Sequence, residues 1–126
     1  MTVVTQSPSL GDVLKYEVNS NYTRDTVTLL AGMPYPVGSV LGKITASAKY
    51  KLATSGGSDG AQTAVAVLLY PVDATLADAQ GIVVARGPAI ISRAALAYDA
   101  TVNDSAKITT KLGQLAAVGI IARDSA

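Results

Sequence analysis

Residues 63–70 read Thr-Ala-Val-Ala-Val-Leu-Leu-Tyr, and Pro71 follows. In an extended chain Val65, Val67 and Leu69 share one face, while Ala64, Ala66, Leu68 and Tyr70 share the other. Both faces are apolar, so this strand is expected to be covered on both sides at the centre of a β-rich body. Burying Val65, Val67 and Leu69 contributes about 1.5–3 kcal/mol each before chain entropy is counted. Pro71 lacks an N–H and ends the strand.

Toward the N-terminus, Thr54–Gly60 (TSGGSDG) is a loop, since Gly and Asp supply the positive φ that tight turns need. Before it, Lys49–Ala53 (KYKLA) alternates charged and apolar residues, as a half-exposed strand does. Ser39–Thr45 (SVLGKIT) reads as another strand, with Gly42 at a bulge or close contact. Met33-Pro34-Tyr35-Pro36 reads as a rigid extended turn in which either X-Pro bond is a candidate for the cis form. Thr26–Ala31 is a β-branched strand bounded by Gly32. Residues 1–25 are polar, broken by Pro8 and Gly11, and expected to form a flexible N-terminal arm distinct from a body over residues 26–126. Leu10, Val13, Leu14, Tyr16 and Val18 give that arm apolar side chains with which to dock.

Toward the C-terminus, residues 74–79 read as a loop or a short helical turn. Gln80–Arg86 and Ala89–Ser92 read as strands separated by Gly87-Pro88, and Arg93–Tyr98 as a short helix-prone piece. The clearest helix spans about Asp104–Val118. Asp104 or Ser105 caps it, Ile108, Leu112, Leu115 and Val118 form its apolar stripe, Gly113 weakens its middle and Gly119 ends it. Ile120-Ile121-Ala122 closes the chain as a strand. The fold class expected is mainly β with one or two short α-helices, and no internal repeat is visible.

The 126 residues suffice for one domain with a modest core. Charged residues make up 15%, well under the usual quarter, and the net charge is +1. Lys15, Arg24, Lys43, Lys49, Lys51, Arg86, Arg93, Lys107, Lys111 and Arg123 form no basic stripe, which argues against a nucleic-acid partner. Apolar content is 49%, largely Ala and Val, and the only aromatics are six tyrosines. A small-residue, lightly charged surface suits either burial against other chains or an ordinary Ala-rich domain. The N-terminus has no basic segment followed by an apolar run, and the longest uncharged stretch, residues 26–42, is interrupted by Gly and Pro. No signal peptide and no membrane span are expected, and the chain should be soluble.

Cys and His are both absent. That removes disulfides, thiolate metal sites and the commonest general base, so no catalytic residue, cofactor or small-molecule substrate is expected. Gly38–Thr45 superficially resembles a phosphate loop, but its glycine spacing is one residue short and Ile44 stands where a hydroxyl should bind magnesium. Ser55–Gly60 has the composition of an anion cradle and reads better as a hairpin loop. Asp73, Asp78, Asp99 and Asp104 are spaced as turn and cap residues. Two glycosylation sequons, at Asn21 and Asn103, read as chance matches without a secretory signal.

Several ordered pieces together resemble the lambda-type phage head decoration proteins, small trimeric proteins that cement tailed-phage capsids. They are Gly11–Glu17 (GDVLKYE), Tyr22–Leu29 (YTRDTVTL) with Ala31-Gly32, Pro36–Gly42 (PVGSVLG), Tyr50-Lys51-Leu52, Asp59-Gly60-Ala61, Ala64–Leu68 (AVAVL) and Leu115–Ile121 (LAAVGII). The resemblance implies a β-clip-like body and a homotrimer. It implies binding to the major capsid protein at three-fold and quasi-three-fold positions on the outer surface of an expanded head, after synthesis in the host cytoplasm. It implies that an N-terminal arm faces the capsid and adds a strand to a capsid-protein sheet. On this basis Leu10, Val13, Leu14, Tyr16 and Tyr22 are expected to contact the capsid, with Arg24 as a polar clamp or a solvated charge. Val65, Val67, Leu69 and Tyr70 are expected in the body core or at a trimer contact. The other classes open to the sequence are a small β-rich sugar-binding or adhesion module, an enzyme of unusual type, and a different virion part such as a tail component.

Overall fold

The computed structural model describes residues 13–123, and within them the fold is mainly β. Five strands close a barrel in the order β2 (Arg24–Leu29), β5 (Tyr50–Leu52), β4 (Val40–Lys43), β6 (Ala64–Leu68) and β8 (Ala79–Val84). A three-stranded sheet sets β9 (Ala89–Ser92) between β1 (Leu14–Glu17) and β10 (Ile120–Arg123). A two-stranded ribbon pairs β3 (Met33–Tyr35) with β7 (Val72–Ala74). The helices are α1 (Ser20–Thr23), a single turn, and α2 (Ser105–Ala117), with a 3₁₀ turn over Arg93–Ala95.

Strand β6 sits between β4 and β8, and its two faces feed two cores. Ala66 and Leu68 join Leu29, Leu41 and Val83 in a core drawn from the barrel strands and covered by Tyr35 and Ala74 of the ribbon. Ala64, Val67 and Leu69 join Val40, Val84, Ile91, Leu115 and Ile120 in a second core between barrel, three-stranded sheet and α2. Simple alternation would place Val65 with Val67. Instead the β4–β6 ladder shifts register between Leu41↔Ala66 and Gly42↔Ala64, which leaves Val65 as the extra residue of a bulge. Val65 is therefore half-buried and packs against the barrel core, while Ala64 moves to the face of Val67. Gly42 is required at that bulge: a Cβ there would lie 2.2 Å from the carbonyl oxygen of Ala61.

Helix α2 forms as its sequence dictates. The Asp104 carboxylate accepts from the Lys107 N–H at 2.8 Å, and Gly119, at φ 86°, lets the chain turn into β10. Leu115 is buried, with Leu112 and Val118 packed beside it. The same face carries Lys111, 2% exposed, whose ammonium donates to the Gln62 carbonyl. The side chain of Gln114 accepts from the Ala64 N–H at 2.8 Å, so two polar groups of α2 satisfy the backbone where β6 begins. Burial pushes the Lys111 amine below its ordinary range.

The ribbon β3–β7 stands where a turn was expected over Met33–Pro36, and its second strand runs from Val72 into the first residue of the loop expected over residues 74–79. Pro34 is tolerated because β3 pairs on one side only, with β7. Tyr35 is buried and donates its hydroxyl to the Leu30 carbonyl at 2.7 Å. Among the described residues the cis peptide bond precedes Pro88 rather than Pro34 or Pro36.

Candidate functional site

The segment read as the end of an arm is seated on the body from Val13 onward; residues 1–12, with Leu10, lie outside the described residues. Val13 is fully buried in the second core, and Leu14 packs against the same core. A register shift between Leu14 and Tyr16 in the β1–β9 ladder turns Tyr16 outward, 51% exposed. Val13 is thus a core residue where an exposed anchor was expected. Its place against Gly38 and Ile91 rests on pairing between β1 and β9 that no local pattern announces.

Polar contacts clasp this segment. The Glu17 carboxylate accepts from Arg24 Nε at 3.0 Å, from Arg24 Nη2 at 2.6 Å and from the buried Thr23 hydroxyl at 2.5 Å. The hydrogen bond from Arg24 holds the Glu17 carboxyl below its usual range against the opposing effect of burial, and Arg24 is pushed further up by the same bond. Arg24 is therefore an internal partner of Glu17, with Nη1 also 3.5 Å from the Tyr70 hydroxyl. One residue on, Asp25 pairs with Arg86 at 2.6 Å. The Arg86 guanidinium also donates to the Tyr22 carbonyl and stands 5.6 Å from the centroid of the exposed Tyr22 ring.

Of the β6 residues, Val67 and Leu69 are fully buried and belong to the core, Val65 is half-buried, and Tyr70 is exposed. Tyr70 lines a shallow hollow of about 360 Å³ with Thr26, Pro71, Val72, Gln80 and Ile82. A neighbouring hollow of about 570 Å³ shares Pro71 and Val72 and adds Pro34, Tyr35, Pro36 and Asp73. Both are open, largely apolar and lined by rigid prolines, a surface suited to contact with another protein chain.

The carboxylates act as turn fasteners. Asp59 pairs with Lys51 at 2.8 Å and accepts from the Ala61 N–H, closing the Gly-rich loop. Asp73 accepts from the Thr75 hydroxyl, and Asp78 pairs with Lys49 at 2.5 Å while accepting from the Ala31 N–H. These hydrogen bonds hold all three carboxyls below their ordinary values, so none is poised as a general acid. Among the described residues no group of three or more metal-ligating side chains converges, and no helix is long and apolar enough to cross a membrane.

What the arrangement offers is a rigid β body with exposed apolar faces and a polar clasp near the start of the described chain. No curated protein matches the chain. Residues 3–120 match the family model described as Bacteriophage lambda head decoration protein D, a span that includes the clasp, both cores and α2. The chain belongs to the phage lambda head decoration protein D family and is a structural component of the virion capsid.

Proposed function

We propose that this protein cements an expanded phage head as a homotrimer seated at three-fold and quasi-three-fold positions, holding the shell against the pressure of packaged DNA. The family match over residues 3–120 carries this reading. The partner is the major capsid protein on the outer surface of a head whose components are made in the host cytoplasm, and the role is mechanical rather than enzymatic. A trimer touching several capsid subunits at one node resists their separation. Binding only the expanded lattice stabilises that lattice by mass action, by about 2.7 kcal/mol per site at one hundred times the dissociation constant.

Residues 1–12, with Leu10, serve as the capsid-seeking arm, joined to the body at Val13. Three arms on one trimer dock with avidity, since the second and third bind intramolecularly. Strand addition by an arm supplies backbone hydrogen bonds, and alternate side chains supply fit. The Tyr70–Ile82 face, with its prolines, is the copy-to-copy contact: it is apolar, open and rigid. The test has two parts. The isolated protein should have a mass of about 38 kDa, that of three chains of 12.8 kDa. It should also remain bound to expanded, undecorated heads through sedimentation. A monomer, a ring of six, or free protein left in the supernatant contradicts the reading.

A further inference from the structure

Arg24 and Asp73 border the two hollows with opposite charges that their own copy does not join. Arg24 stands on β2 two residues before Thr26, so both project from one face of the strand, and Thr26 lines the Tyr70 hollow. The Glu17 carboxylate occupies one edge of the guanidinium, at Nε and Nη2. The other edge has only the Tyr70 hydroxyl, 3.5 Å from Nη1 and at the limit of a hydrogen bond. A guanidinium presents five N–H donors in a planar fork, so this open edge can take a second carboxylate.

Asp73 lines the adjoining hollow, which shares Pro71 and Val72 with the first. Its Oδ1 accepts from the Thr75 N–H at 3.0 Å and from the Thr75 hydroxyl at 2.5 Å. Among the described residues Oδ2 accepts from no donor and Asp73 forms no ion pair. Asp25, Asp59 and Asp78, by contrast, each hold a cation of their own copy.

We infer that a second copy joins these charges: Asp73 of one copy binds the open edge of Arg24 on the next, across the apolar floor of the hollows. This deepens the homotrimer reading and rests on it. Charge complementarity selects the occupant. One face holds an open cationic edge, an apolar strip and an unpaired carboxylate, so it complements a rotated copy of itself. Tyr70 and Asp73, three residues apart, lie within about 11 Å of each other. Because the two charges occupy different places, the contact is head-to-tail, the kind that closes rings such as a trimer. Glu17 already fixes the guanidinium, and the Asp73–Thr75 turn already fixes the carboxylate, so little ordering opposes the pairing.

The test is the association constant of the full chain, read by sedimentation equilibrium at low and high salt. Asp73→Asn keeps an acceptor for Thr75 and removes the charge. Asp99→Asn is the control, because Asp99 accepts from the Thr101 N–H and hydroxyl in the same kind of turn elsewhere. Asp73→Asn should weaken association about tenfold per contact at low salt and lose part of the salt dependence. Asp99→Asn should associate as the unaltered chain does. In an Arg24→Gln background Asp73→Asn should make no further difference. Asp73→Lys needs no change at Arg24, sets a cation against it, and should weaken association beyond Asp73→Asn. If the unaltered chain is a trimer and Asp73→Asn associates equally well, this inference alone falls. It also falls if Asp99→Asn weakens association as much, if Asp73→Asn keeps its full effect beside Arg24→Gln, or if Asp73→Lys is no worse than Asp73→Asn. An unaltered chain that sediments as a monomer ends the homotrimer reading and this inference with it.

Discussion

Strand β6 and the segment from Val13 to Asp25 are attached to the same body by different physics. Ala64, Ala66, Val67 and Leu68 are fully buried, held by apolar surface removed from water on two faces. The N-terminal segment has one fully buried apolar pin, Val13, with the half-buried Leu14 packed beside it, and beyond these it is fixed by directional polar contacts: the Glu17 carboxylate with its three donors, and Arg86 with Asp25. Burial of the first kind is insensitive to pH and salt over the ordinary range. Clasping of the second kind responds to both. The body is thus built to stay folded, and the stretch adjoining the arm is built so that a local change can loosen it without unfolding the rest.

The largest effect should come from cutting the centre. Leu68→Ala removes a fully buried side chain from the barrel core and should lower unfolding free energy by about 2–5 kcal/mol in denaturant titration. A cost well under 1 kcal/mol would mean the barrel core is loosely packed, and would erase the contrast between the two regions.

Next comes the seam between barrel and sheet. Gly87 donates its N–H to the Val118 carbonyl at 2.8 Å, and a Cβ on Gly87 would lie 1.8 Å from the Gly119 carbonyl oxygen. Gly87→Ala must push β9 away from the end of α2, at an expected cost of about 1–3 kcal/mol. Hydrogen exchange should show faster exchange in β9 and β10 than in β4 and β6.

The clasp should yield a smaller, localised effect. Glu17→Gln keeps the shape and removes the charge, with an expected loss of about 1–2 kcal/mol. Amide protection should fall in β1 and α1 and stay unchanged in β6. Equal loosening everywhere would show that the segment is no separate unit. The pH dependence follows from the same group. Because the folded state holds the Glu17 carboxyl below its unfolded value, its stabilisation is fully present above the unfolded carboxylate range, about pH 4.3. It is lost as pH falls through the depressed folded value. Acid titration monitored at β1 should therefore differ between the unaltered chain and Glu17→Gln, and should match at β6.

The smallest effect on folding belongs to the exposed face. Tyr70→Ser leaves both cores intact and should change monomer stability by under about 0.5 kcal/mol, yet shift the oligomer toward smaller species in sedimentation. An unchanged mass distribution would move the copy-to-copy contact elsewhere.

Much of this comparison can be read from sequence on the β6 side and little on the other. The two-sided apolar run marked a covered strand, Asp104 and Gly119 bracketed α2, and Gly42 marked a bulge. The bulge's consequence for Val65 was hidden, because which face a residue takes depends on the register of its partner strand. Lys111 looked like one more scattered cation. The available signal was its spacing, three residues after Ile108 and four before Leu115, which places it on the apolar stripe of α2. The ribbon β3–β7 had no local mark, since Pro34 argues against a strand unless an edge is available. Val13 and Thr23 are buried by pairing with distant β9 and by the clasp, contacts across sequence separations that periodicity does not report.

The family places the chain on a phage head, and the account built on it is most directly tested by imaging expanded, undecorated heads after mixing with the purified protein. Three-lobed density is expected at every three-fold and quasi-three-fold position, with the chain start at Val13 turned toward the shell. Bare heads, or density confined to other positions, would contradict it.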